Sequence, residues 1–125
     1  MRKLKILVVD DDLGMRTTYQ RLLAKIPLHE VVIASDGKEA YEKICEADPS
    51  FDLVITDFNM PVMNGGELAT ALMKTHPEIP VIMITGGHTG EIQEFQKKYH
   101  LHAILDKPIE VAELLDIISQ IATAC

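Results

Sequence analysis

Three acids in a row, Asp10-Asp11-Asp12, follow the apolar run Leu4 to Val9, and a fourth, Asp57, closes the apolar run Phe51 to Thr56. A buried-strand signal that stops on a carboxylate and runs into Pro61 and an Asn64-Gly65 pair puts that acid at a strand's carboxyl end. Open parallel sheets bind their ligands there. The same placement recurs at Val81 to Ile84, which stops on Thr85-Gly86-Gly87, and at Ala103 to Leu105, which leads through Asp106 into Lys107-Pro108. Brought together, Asp10, Asp11 and Asp57 repel one another, so some must protonate or meet a cation. Lys107 supplies one positive charge, too little for three carboxylates. A divalent ion resolves the imbalance, and a ligand set of oxygens without His or Cys selects a hard cation, best magnesium, which accepts one or two carboxylates plus waters and a phosphoryl oxygen. Such a pocket suits phosphoryl transfer to a carboxylate, in which catalysis consists of positioning and of neutralising the three equatorial oxygens. Magnesium takes one, Lys107 another, and the Thr85 hydroxyl with the Gly86 amide the third.

Apolar runs of strand length alternate with helical patterns along the chain, which predicts an α/β fold with a parallel sheet covered on both faces. Strands are expected at Leu4 to Val9, Glu30 to Ala34, Leu53 to Thr56, Val81 to Thr85 and Ala103 to Leu105. The first helix carries Met15, Tyr19, Leu22, Leu23 and Ile26 on one stripe and stops at Pro27. The second begins at Asp36, whose side chain caps the free amides while Glu39 completes a capping box, and ends before Pro49. The third follows Gly65, with Leu68 and Leu72 inward. A fourth, between Gly90 and His100, has only Ile92, Phe95 and Tyr99 as anchors and is expected to be mobile. The fifth carries Val111, Leu114, Leu115, Ile118 and Ile121 at close to helical period.

The elements Val8-Val9-Asp10-Asp11, Asp57 with Met60-Pro61 and Asn64-Gly65, Thr85-Gly86, and Lys107-Pro108 resemble the receiver domain of bacterial two-component response regulators. The resemblance covers nearly the whole chain. It implies a flavodoxin-like (βα)5 fold, a doubly wound five-stranded sheet of order 2-1-3-4-5, with residues 1–125 as a single receiver domain and no output domain in this chain. It implies that Asp57 is the phosphoacceptor and takes its phosphoryl group from a histidine of a sensor histidine kinase or histidine phosphotransfer protein. Asp11 and Asp57 would bind magnesium directly, the backbone carbonyl of Asn59 would be a third ligand, and Asp10 would act through water. Thr85 would swing toward the phosphoryl group with Lys107 paired to it, and the Lys107-Pro108 bond would be cis. One departure is Ile104, which stands where many receivers carry Tyr or Phe, so the fourth-helix segment and the last strand and helix are expected to signal without that ring.

Other residues take plainer readings. Asp12 faces a helix start, where negative charge is favoured, and caps it. Asp106 points away from the site. His100 and His102 share a strand-like spacing but lack a third ligand, while His29, His76 and His88 fall in solvated loops. The two cysteines, Cys45 and Cys125, form no metal or redox spacing, which sets a cytoplasmic expectation.

With 125 residues the chain suits one domain. Twelve basic against nineteen acidic residues leave a formal charge of −7, which opposes nucleic-acid binding, and no stretch is long enough to span a membrane. The leading reading is a phosphorylation-dependent switch acting on an unknown downstream protein, not an enzyme with an external substrate. The alternative is a small aspartyl-phosphate phosphatase, which needs an acid two residues after the nucleophile, where this chain has Asn59. A flavin or nucleotide module needs a glycine-rich loop after the first strand, where three acids stand instead.

Overall fold

A computed structural model of the protein describes residues 3–24, 29–86 and 96–123. The elements are β1 (Lys5–Val9), α1 (Leu13–Ala24), β2 (Glu30–Ala34), α2 (Gly37–Glu46), β3 (Leu53–Asp57), α3 (Gly65–Thr75), β4 (Val81–Thr85), β5 (Ala103–Asp106) and α4 (Val111–Thr123). All pairings are parallel and the sheet order is β2-β1-β3-β4-β5. This is the flavodoxin-like α/β order that the family resemblance implied. The helix expected between Gly90 and His100 lies mostly outside the described residues, as do Gly87 and His88.

Strand periodicity divides the core in two. Ile6 and Val8 of β1, Leu53 and Ile55 of β3, and Ile82 and Ile84 of β4 pack with Tyr19 and Leu23 of α1 and Leu114, Ile118 and Ile121 of α4. The alternate residues Leu7, Val9, Val54, Val81 and Met83 pack with Ala40 and Ile44 of α2 and Leu68, Ala69 and Leu72 of α3. Strands covered on both faces read as unbroken apolar runs, which is why the central three stand out in the sequence. Val111, placed on the buried stripe by its spacing, is exposed because it opens the first turn of α4.

Helix starts are built from side chains. The Gly14 amide donates to Asp12 Oδ1 at 2.8 Å, so Asp12 caps α1 as expected. Asp36 caps α2 by accepting from the Glu39 amide at 2.8 Å. The expected capping box there is not formed: the Glu39 carboxylate accepts from the amide and hydroxyl of Ser35, one residue upstream of the cap, and this pulls its pKa down. A complete box occurs instead at α3, where Asn64 accepts from the Glu67 amide and Glu67 from the Asn64 amide. Lys43 of α2 pairs with Glu39 and donates from Nζ to the Ile33 carbonyl at 2.7 Å. His29 is a further correction to the solvated-loop reading. Its Nδ1 accepts the Leu4 amide at 3.0 Å, its Nε2 is buried without a hydrogen-bond partner, and burial lowers its pKa.

Candidate functional site

The winding of the chain creates the site. From β1 it moves outward to β2 and then returns across β1 to β3, so the carboxyl ends of β1 and β3 meet where the winding reverses, the usual place for a ligand in such sheets. The register pairs Val9 with Thr56, which sets Asp10 and Asp57, the next residue of each strand end, side by side. Asp57 also pairs with Ile84 on its other flank, which brings Thr85 alongside, and Thr85 pairs with Asp106, immediately before Lys107. The Lys107 amide donates to the Thr85 carbonyl at 3.0 Å, and Lys107-Pro108 is cis. Asp48-Pro49 is cis as well, with no counterpart among the expectations.

Carboxylate oxygens of Asp10, Asp11 and Asp57 lie within 4.8 Å of one another. Asp10 is 1% and Asp57 5% exposed, whereas Asp11 stands at the solvent side. Lys107 Nζ donates to Asp57 Oδ2 at 3.0 Å. The Asp12 amide donates to Asp10 Oδ1 at 2.9 Å. Two oxygens, Asp10 Oδ2 and Asp57 Oδ1, remain buried without a hydrogen-bond partner. Buried carboxylate oxygens are costly when unpaired, and two from neighbouring strands beside a third, exposed acid form a donor set for a hard cation. The residues therefore fit a bound divalent metal.

The electrostatics agree. Burial first, then the charges of Asp57 and Asp11, push the Asp10 carboxyl above its ordinary pKa, against the Asp12 amide and Lys107, which lower it. For Lys107, burial works against the charged form, but the hydrogen bond and charge of Asp57, with Asp10 and Asp11 behind it, more than offset this and raise its pKa.

Other expected residues fall around this pocket. Thr85 is buried at the end of β4, and Gly86 lies against the Lys107 side chain, 3.7 Å from where a Cβ would sit to Lys107 Cδ. Asn59 lines an open cleft with Asp11, Met60, Pro61 and Asn64, so Met60 flanks the site. Asp106 is exposed and outside the acidic group, as anticipated. His100 and His102 join no cluster of three ligands among the described residues.

Two neighbours of the pocket were not singled out in the sequence. Arg16 Nη1 donates to the Asp10 carbonyl at 2.7 Å. Tyr19, counted only as a core residue, is buried near enough to the acids that burial, followed by the charges of Asp10 and Asp57, raises its pKa. Arg16 and Tyr19 sit three apart on α1, one helical turn facing the end of β1. Two close approaches hold the loop after β3. A Cβ on Gly65 would lie 2.5 Å from the Asp57 carbonyl oxygen, and one on Gly66 would lie 2.9 Å from Tyr99 Cζ and 3.0 Å from Phe58 Cε2. The Phe58 and Tyr99 rings are 6.5 Å apart at 52°.

Comparison with known proteins agrees with this geometry. Residues 6–119 match the response regulator receiver domain family. The chain is 32% identical over 120 residues to two-component response regulator 24 of Arabidopsis thaliana, covering 95% of this chain and 84% of that protein. It is 42% identical over 90 residues to a protein-glutamate methylesterase/protein-glutamine glutaminase of Geobacillus kaustophilus, covering 71% of this chain. The matched part is 25% of that relative's length. Among solved structures, a response regulator receiver domain protein from Clostridium thermocellum superposes with a TM-score of 0.83 at 30% identity, covering 95% of this chain and 94% of the other. No helix among the described residues is long and apolar enough to cross a membrane. The sheet order, the acidic pocket and these likenesses together make the chain a member of the response regulator receiver domain family of two-component systems.

Proposed function

We propose that this chain accepts a phosphoryl group on Asp57, in a magnesium-dependent reaction, from a phosphohistidine of a sensor histidine kinase or histidine phosphotransfer protein, and that the modified form changes how it binds a downstream protein. One observation carries the reading: a buried strand-end carboxylate, Asp57, has one oxygen 3.0 Å from Lys107 Nζ and the other unpartnered in a pocket shared with Asp10 and Asp11. An Asp57 oxygen attacks phosphorus while the bond from phosphorus to the donor's imidazole nitrogen breaks, leaving an acyl phosphate on Asp57 and the imidazole free. Asp11, Asp57 and the Asn59 carbonyl would hold the magnesium ion, with Asp10 acting through water, and the ion would supply neutralisation of the charge that builds up on the phosphoryl group. Lys107 exchanges part of its bond with Asp57 for a phosphoryl oxygen. Thr85 and the Gly86 amide receive a third, and the shift of Thr85 is the first structural consequence of modification.

The test is labelling by acetyl phosphate. Wild type should be labelled with magnesium present and not in EDTA, Asp57→Asn should not be labelled, and Asp11→Ala should be strongly impaired. Equal labelling of wild type and Asp57→Asn would defeat the assignment. Pull-down from a lysate with and without beryllofluoride then addresses the partner, which should be retained differently in the two states.

A further inference from the structure

Asp10 is fixed by three separate hydrogen bonds. Its amide donates to the Ala34 carbonyl of β2 at 3.1 Å, its Oδ1 accepts from the Asp12 amide at 2.9 Å, and its carbonyl accepts from Arg16 Nη1 at 2.7 Å. The first two are main-chain donors or acceptors that any residue could provide. The third is a side chain reaching back from α1, and it holds the peptide unit that joins Asp10 to Asp11.

That peptide unit is under load. Asp10 and Asp11 follow one another in the chain, yet both present an oxygen to the same small volume as Asp57. Mutual repulsion among these carboxylates opposes that arrangement. A restraint that counters the repulsion makes the site ready for a cation instead of leaving the cation to assemble it. Arg16 is suited to the task because its guanidinium stays charged and forms a strong, directional bond to a carbonyl. Its hydrogen bond is to the Asp10 backbone carbonyl and not to a carboxylate oxygen.

Building on the phosphoacceptor reading, we propose that Arg16 is a positioning residue that holds the Asp10–Asp11 peptide in the geometry for divalent-cation binding. The sign of the effect separates this role from a simple field. Removing a positive charge beside an acidic pocket strengthens cation binding on electrostatic grounds alone, whereas loss of a positioning bond weakens it.

Calorimetric titration of MgCl2 into the full chain, with urea unfolding in EDTA as the measure of folding, tests the proposal. Arg16→Ala should bind Mg2+ about tenfold more weakly than wild type, and Arg16→Lys, which keeps a charged donor, should recover part of the loss. Labelling by acetyl phosphate should fall at subsaturating Mg2+ and return toward the wild-type rate at saturating Mg2+. Unchanged or tighter Mg2+ binding by folded Arg16→Ala overturns the proposal. Should Arg16→Ala not fold, Arg16→Lys and Arg16→Gln decide: weaker binding by Gln than by Lys supports it, and equal or tighter binding by Gln overturns it. Absence of Mg2+ binding in wild type, or labelling of Asp57→Asn, would bring down the parent reading; normal wild-type behaviour with indifferent Arg16 variants brings down this inference alone.

Discussion

Replacing Asp10 by Asn should stabilise the metal-free protein. In the wild type Asp10 is 1% exposed and faces Asp57 with a buried, unpartnered Oδ2, and the acidic oxygens lie within 4.8 Å. At that separation and an effective dielectric of about 20, two unit charges repel by about 3.5 kcal/mol. Asn keeps Oδ1 for the Asp12 amide and replaces the unpartnered, negatively charged Oδ2 with an uncharged N–H2 in the same acidic group. Some of the gain is lost because Lys107 also attracts Asp10, which leaves a net stabilisation of about 1–3 kcal/mol. In EDTA, urea unfolding should show that increase, and thermal unfolding a rise of roughly 3–10 °C. Added magnesium should then favour wild type: at a free concentration of about 100 times Kd it stabilises the native state by about 2.7 kcal/mol, and the Asn variant by less. A variant no more stable than wild type in EDTA would refute the electrostatic account, whatever its labelling activity.

Gly65→Ala should destabilise by about 2–4 kcal/mol and impair labelling, since its Cβ meets the Asp57 carbonyl itself, whereas Gly66→Ala should cost less because the Tyr99 ring can swing aside; urea midpoints for the pair test the order. Val62 is exposed in the left-handed region at φ 68°, which is unfavourable for a β-branched residue, so Val62→Asn should stabilise by about 1 kcal/mol in the same assay. For His29 burial penalises the charged ring and sets the folded pKa below the unfolded value of 6.5, so its contribution is full above that pH and is lost as pH falls through the folded pKa. His29→Asn should flatten the part of the stability–pH curve just below pH about 6.5; an unchanged slope would count against it.

Strands and pocket were legible for one reason. Both faces of β1, β3 and β4 are covered, so their sequences are continuous apolar runs, and a polar residue that ends such a run marks the sheet edge. Asp10, Asp11, Asp57, Thr85 and Lys107 could be gathered from that signal alone. What was not legible depends on reach across the fold. Arg16 looks like an ordinary helix-surface cation until the Asp10 carbonyl appears beside it, and Tyr19 reads as one more member of a stripe. His29 gave no local sign that the Leu4 amide would find it. The capping boxes show a different limit: Asp36-x-x-Glu39 and Asn64-x-x-Glu67 carry the same pattern, but Ser35 offers Glu39 a second donor in its hydroxyl and wins the carboxylate.

A parallel sheet of this kind has an open margin, and here β2 is one of them. Alternate residues of an edge strand point their amides and carbonyls outward, and Glu30 and Ala34 bond inward to β1, so the Ile33 carbonyl belongs to the outward row. Lys43 occupies it. A strand from a second molecule that sought to extend the sheet at β2 would have to displace an ammonium already bound there and also paired with Glu39. The contact between α2 and β2 thus does more than anchor a helix: it occupies an outward carbonyl of an edge strand that another strand would need for pairing.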